Sequence, residues 1–193
     1  RDYVTGDQSA LQSIPIKPHS YSHIVTTIKD LNPTLSAIAI IAEGEGETIE
    51  FKEAACWDNY KKAKSPGLVE KIIETVVGFL NSRKGGVLLI GVSDDGKVIS
   101  LADDYVAANK EKKNRDGYRL FLQDSINKNL GTNWTSYYEI LFHHVESKDI
   151  CQIKVIASER PVFFHQELYV RSGNQTCKLK TQEALEYIRQ RWP

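Results

Sequence analysis

The 193-residue chain contains no methionine and opens on Arg1, which predicts a piece of a longer protein. Cysteine is scarce: Cys56, Cys151 and Cys177 are widely spaced and form no C-x-x-C pair. That pattern argues against a disulfide framework and a zinc ribbon, and it predicts a reducing, cytoplasmic setting. No apolar run approaches the roughly 18 residues that cross a bilayer, so no membrane association is expected. The opening RDYVTGDQSA lacks a basic stretch followed by an apolar core, so no signal peptide is predicted. Net charge is also missing, because 25 basic residues balance 25 acidic ones. Charge alone therefore does not point to nucleic acid. The glycine-rich GGVLLIG lacks the G-x-x-x-x-G-K-[ST] spacing, which rejects a P-loop.

What is present reads as one sizeable domain behind an arm. Residues 1–35 are polar and interrupted by Pro15, Pro18 and Pro33, which predicts an extended arm with one short helix near 20–30. SAIAIIA at 36–42 is a short apolar run, predicted as a strand with helix left open. TIEFKEA alternates, placing Ile49 and Phe51 on one face of a strand and Glu50 and Lys52 on the other, polar face. SPGLVEKIIETVVGFLN carries an apolar stripe at helical spacing, with Ser65 as N-cap and Pro66 in the first turn. KGGVLLIGVSDDGKVISL reads as a buried strand, an Asp-Gly turn and a second strand. A helix is expected from about Gly117 to Gly131, then a hairpin of YYEILFHHVE and ICQIKVIAS, a strand at ELYVRSGNQT and a closing helix from Thr181. The predicted class is α+β, with a mostly antiparallel sheet of hairpins packed with about three helices.

The acids carry the most specific chemistry. EGETIEFKEA crowds four carboxylates beside one strand. Divalent-metal cleavage of a phosphodiester needs two or three carboxylates converging on one point, with Mg²⁺ or Mn²⁺ preferring oxygen ligands. Glu50 on its strand, Asp94 at the tip of the following hairpin and Glu45 in the preceding turn could meet if strands 47–52 and 87–92 are neighbours. Lys52, two residues from Glu50, would then hold a phosphate or the attacking water. Acids in a glycine-rich turn and in a D-D-G hairpin also have an ordinary conformational role, and that reading competes.

ETIEFKEA, GFLNSRKGGVLLIGVSDDG and LYVRSGNQTCKLKTQEALEYI occur in that order. Together they resemble the Schlafen AlbA-like domain over residues 41–193, leaving 1–40 as an arm of unknown role. The resemblance implies a metal-dependent endoribonuclease in the family's nuclease members. Its motif is a Glu, four residues, Glu-Phe-Lys, and an Asp just after a G-V strand. Glu45, Glu50-Phe51-Lys52 and Asp94 occupy those positions, with Glu47 as an alternative partner. Mg²⁺ or Mn²⁺ would be held by Glu45, Glu50 and Asp94, and structured, tRNA-like RNA is the implied substrate. Vertebrate members carry a cysteine-histidine zinc site where this chain reads SERPVFF, so no structural zinc is predicted. They also pair two lobes around a groove, so a homodimer or a second Schlafen-like lobe is expected here.

Arg83 and Lys84 in NSRKGG, and Arg171, Asn174 and Lys178 in RSGNQTCK, are the predicted contacts to a nucleic-acid backbone. Aromatic residues at 134–138 and at Phe163–Phe164 are candidates for stacking on unpaired bases, one of the two phenylalanines being assigned to the core. Two other readings stay open: a non-catalytic RNA- or DNA-binding or regulatory module, and a protein-interaction domain.

Overall fold

The computed structural model describes residues 33–193. The expected helix at 20–30, with most of the 1–40 arm, lies outside them. In chain order the helices are α1 (Pro33–Glu43), α2 (Pro66–Asn81), α3 (Ala102–Ala108), α4 (Arg115–Leu130) and α5 (Thr181–Arg191). The strands are β1 (Ile49–Lys52), β2 (Trp57–Asp58), β3 (Ala63–Lys64), β4 (Gly86–Ile90), β5 (Tyr138–Val145), β6 (Lys148–Val155), β7 (Phe163–Phe164), β8 (Glu167–Ser172) and β9 (Gln175–Leu179). The class is α+β. A four-stranded sheet runs β1-β4-β6-β5, beside a β2–β3 hairpin and a three-stranded β7-β8-β9 sheet. Among the described residues every strand pair is antiparallel except β1 with β4, which run parallel in the register Ile49↔Val87 to Lys52↔Ile90.

Both faces of the four-stranded sheet are covered, and the period-two alternation of a strand distributes side chains between them. On one face Leu88 and Ile90 join Ile72, Val76, Leu80, Leu122 and Ile126 in the larger core. On the other, Ile49, Phe51 and Leu89 meet Ala37 of α1 in a smaller core, together with Val145 and Ile150. This second core explains why SAIAIIA is helical rather than a strand. Ala37, Ile40 and Ile41 recur at i, i+3 and i+4, the spacing that lays one helical stripe on a sheet. The helix runs across residue 40, the expected junction between arm and domain.

The segment after β4 also differs from expectation. The second strand of the KGGVLLIGVSDDGKVISL hairpin is reduced to a single bridge, Val92↔Val98. The turn closes through Gly96 N–H to Ser93 O at 2.8 Å and Ser93 N–H to Lys97 O at 3.0 Å. The chain then enters α3, a helix absent from the sequence reading.

The N-S-R-K-G-G segment is a structural joint. Asn81 donates to the carbonyls of Val162 and Tyr169 at 2.8 and 2.9 Å, and its own carbonyl accepts from Val162 N–H at 2.9 Å. One buried amide thus ties the end of α2 to the three-stranded sheet. Gly85 has φ +72, and a Cβ there would stand 2.2 Å from Val155 O. A Cβ on Gly86 would stand 2.3 Å from the Phe79 ring. Both positions need glycine for close approach.

Candidate nucleic-acid interface and acidic edge

β1 is an edge strand, and the turn before it folds back along that edge. Glu45 Oε1 accepts the Phe51 N–H at 2.8 Å, so this carboxylate satisfies the unpaired side of the strand. Beyond β1, the Lys52 carbonyl accepts from Gly91 N–H at 2.7 Å and Val92 N–H at 3.2 Å. That contact brings the Ser93–Lys97 turn next to the end of β1. The expectation that strands 47–52 and 87–92 are neighbours is what the structure shows.

Glu50 does not lie on a solvated polar face. It is 8% exposed, because the face opposite Ile49 and Phe51 is covered by α2 and β8. Its partner there is Arg171 of β8, whose side chain is completely buried. Arg171 Nη1 donates to Glu50 Oε2 at 2.7 Å and to Thr176 Oγ1 at 3.0 Å. Its Nη2 donates to Gly46 O at 2.6 Å, and the guanidinium lies 4.9 Å from the Phe79 ring centroid. The other Glu50 oxygen, Oε1, is held by the Lys52 ammonium. Lys52 also donates to Phe51 O at 2.8 Å, which leaves one of its three N–H donors.

This arrangement bears on a metal. Both Glu50 oxygens are in ion pairs, and one Glu45 oxygen caps a backbone N–H. Asp94 is exposed on the neighbouring turn. Among the described residues no group of three His, Cys, Asp or Glu side chains is placed to hold a metal ion. As arranged, Glu45, Glu50 and Asp94 therefore do not fit a three-carboxylate centre for Mg²⁺ or Mn²⁺, although the fold brings their segments to one edge.

The predicted backbone contacts separate in space. Arg171 is not available to phosphate, because it is buried as the counter-ion of Glu50. Arg83 donates to Gln190 O at 2.8 Å, and Lys84 pairs with Glu47 at 2.8 Å; both are exposed. Asn174 is exposed in the β8–β9 turn, and Lys178 stands 3.5 Å from Glu167. Trp134 is buried beneath Arg160, and Phe164 is core, while Phe163 is half exposed. Cys56 and Cys151 are buried, and burial pushes both thiols up. His143 bonds Gln152 at 2.7 Å and His144 bonds Asp149 at 3.0 Å.

One aromatic and basic cluster was not anticipated. The β2–β3 hairpin, read as W-D-N-Y-K-K-A-K, carries Tyr60 at 89% exposure, with Lys61, Lys62 and Lys64 exposed after it. The hairpin is anchored from below by Asp104, which is 2% exposed. Its carboxylate accepts N–H groups of Ala55, Cys56 and Trp57 at 2.8, 2.9 and 2.7 Å, and the hydroxyl of buried Tyr118. Asp58 accepts the N–H groups of Tyr60 and Lys61 at 3.0 and 2.9 Å, an Asx turn that fixes the tip. The Lys61 N–H is the main reason the Asp58 carboxyl titrates below the usual range. The available signal was an aromatic residue followed at once by three lysines in four positions, directly after the E-F-K strand.

Between this hairpin and the turn after β4 lies a cavity of about 320 Å³. Lys52, Glu53, Trp57, Asn59, Tyr60 and Asp94 are among its lining residues. It joins the sequence-predicted Lys52 and Asp94 to the unanticipated aromatics.

A family profile described as Schlafen, AlbA_2 matches residues 45–180, well over half of the chain. The chain belongs to the Schlafen AlbA_2 family. The match includes Glu45, Glu50, Lys52, Asp94 and Arg171, and the cavity with its lysine-rich hairpin. No curated protein matches the sequence. Among solved structures, the chain is similar to the crystal structure of the DIP2311 protein from Corynebacterium diphtheriae, with a TM-score of 0.53 at 19% identity. That alignment covers 76% of this chain and 28% of the other, so this Schlafen AlbA_2 domain spans under a third of that relative's length. At that identity the likeness speaks for the fold alone.

Proposed function

We propose that this domain binds nucleic acid, and unpaired RNA in particular, across the edge formed by the β2–β3 hairpin and the ends of β1 and β4. The observation that carries the reading is Tyr60, 89% exposed, with Lys61, Lys62 and Lys64 exposed beside it. A flat aromatic ring offered to solvent and flanked by cations is how single strands are held without base pairing: phosphates meet the lysines and a base stacks on the ring. Lys52 adds a donor at the cavity beneath. The neutral net charge does not oppose this, because the positive charge is local. Membership of the Schlafen AlbA_2 family supports the same reading.

A second reading, metal-dependent cleavage of structured, tRNA-like RNA, rests on a separate observation. Glu45, Glu50 and Asp94 come from three segments that meet around Lys52. The side chains as placed commit Glu50 to Arg171 and Lys52, so no hydrolytic step is assigned to them.

The experiment is binding and cleavage of labelled tRNA and single-stranded RNA in Mn²⁺ and in EDTA, with Lys61→Ala/Lys62→Ala and Asp94→Asn variants beside the unchanged chain. The proposal expects intact RNA and binding that persists in EDTA and weakens in the double-lysine variant. RNA binding unmoved by that variant would reject the interface. Manganese-dependent cleavage abolished by Asp94→Asn would replace the binding reading with the nuclease reading.

A further inference from the structure

The cavity beneath Tyr60 has a chemical character different from the lysines above it. Among the described residues its lining holds one cation, Lys52, against three carboxylates, Glu53, Asp58 and Asp94. Asp58 is already committed to the turn N–H groups. Among the described residues Glu53 takes only a long contact, 3.4 Å, from Asn59 Nδ2. Asp94, on the turn after β4, is exposed where it lines the cavity. A phosphate entering this space would meet more negative than positive charge, so the phosphate half of a nucleotide belongs outside, at the lysines. The neutral half, the base, belongs inside. At about 320 Å³ the cavity falls at the small end of the roughly 300–1,000 Å³ typical of ligand pockets.

The acceptors in the lining also discriminate among bases. A carboxylate accepts and cannot donate when ionised, and it pairs best with two N–H donors side by side. Guanine presents such a pair on its Watson–Crick edge. Uracil presents there a single N–H between two carbonyl oxygens, which would face the carboxylates with like charge. Trp57 supplies an aromatic wall, and its backbone is fixed by the Asp104 carboxylate at 2.7 Å. Tyr60 is held by the Asx turn on Asp58. Both aromatics thus stand on backbone that is ordered before a ligand arrives, which lowers the entropy cost of binding.

We infer that this cavity is a subsite for a single unpaired guanine, its donor edge toward Glu53 and its ring against Tyr60 and Trp57. The inference rests on the nucleic-acid reading above and adds the base class to it. The same base chemistry is offered by a strand and by a free nucleotide, and the test separates them.

The probes are fluorescein-labelled single-stranded RNA 12-mers of uridine with one central guanosine or one central abasic site, and a blunt RNA hairpin, measured by anisotropy against the full chain. The guanosine strand is expected to bind about 5- to 150-fold more tightly than the abasic one, the range for one stacked base. Tyr60→Ala, at a side chain too exposed to endanger folding, should erase that difference and leave the hairpin RNA unaffected. Glu53→Gln should reduce the guanosine preference while sparing the abasic strand. Guanosine monophosphate that displaces the probe at the probe's own affinity identifies a free nucleotide as the occupant; failure to displace it identifies the strand. Equal affinity for guanosine and abasic strands, unmoved by Tyr60→Ala, overturns the subsite and leaves the nucleic-acid reading standing. Binding of none of the three RNAs overturns the nucleic-acid reading itself.

Discussion

Two acidic regions lie within one fold and behave in opposite ways. Glu50 and Asp104 are buried, and each is fully engaged: Glu50 by Arg171 and Lys52, Asp104 by three backbone N–H groups and the Tyr118 hydroxyl. Asp94 and Asp95 are exposed on the turn after β4, where Asp95 is held by Ser93 and Lys97 at 2.5 Å and Asp94 faces the cavity. A carboxylate in a motif can thus be a structural counter-ion or a surface ligand, and burial with its partners tells which. Glu50 belongs to the first kind, while Asp94 is exposed at the rim of the cavity.

The comparison is broken most severely at Asp104. Alanine there strands several buried donors, and the loss is expected near the top of the roughly 3–5 kcal/mol found when a buried polar network loses one partner. Urea unfolding at pH 7 measures it; a change under about 1 kcal/mol would mean the anchor is redundant. Glu50→Ala should cost about 3 kcal/mol by leaving Arg171 buried without its anion. Glu50→Gln should cost less, about 1–3 kcal/mol, because an amide oxygen still accepts one hydrogen bond. This order matters for any activity assay, since lost function in Glu50→Ala would report the fold as much as the site. Gly86→Ala, pressed against the Phe79 ring, should cost about 1–3 kcal/mol by overpacking, readable as a lowered Tm.

A smaller effect is expected from Asp149. Arg115 chiefly, with His144 and Tyr105, holds its carboxyl well below the usual range against the opposing effect of burial. A depressed folded-state pKa gives stability that is present above the unfolded value, about 3.9, and is lost as pH falls toward the folded one. Asp149→Asn should therefore lower stability at pH 7 and flatten its decline below about pH 4. An unchanged acid limb would remove Asp149 from the acid response. The smallest effect belongs to Asp94→Asn, expected within about 0.5 kcal/mol, which makes it the clean probe of surface chemistry.

Much of the fold was legible. The stripe in residues 66–81 and the alternation in 138–155 announced α2 and the β5–β6 hairpin, because burial on one face imposes its period on the sequence. SAIAIIA misled because six consecutive apolar residues satisfy either period, and only the second core against β1 and β4 selects the helix. The site was legible in part. The adjacency expected for the segments of Glu45, Glu50, Lys52 and Asp94 is present, since the fold brings them to one edge. Their roles were not legible, because Arg171, 121 residues beyond Glu50 in the chain, decides whether that carboxylate is open or paired. Asn81, Gly85 and Gly86, in the GFLNSRKGGVLLIGVSDDG stretch of the family resemblance, have structural work at the α2–β4 joint. The Tyr60 hairpin was missed because exposure of an aromatic residue depends on a turn fixed by Asp58 and Asp104, not on local pattern.

The salt dependence of single-stranded RNA binding tests the central claim most directly. For each phosphate neutralised on a single strand, log K falls by about 0.7 per unit of log salt concentration. The unchanged chain should show a clear negative slope, made shallower by about 1.4 in Lys61→Ala/Lys62→Ala as two such contacts are lost. A slope identical in both proteins, or no slope at all, would contradict an interface built on the β2–β3 hairpin.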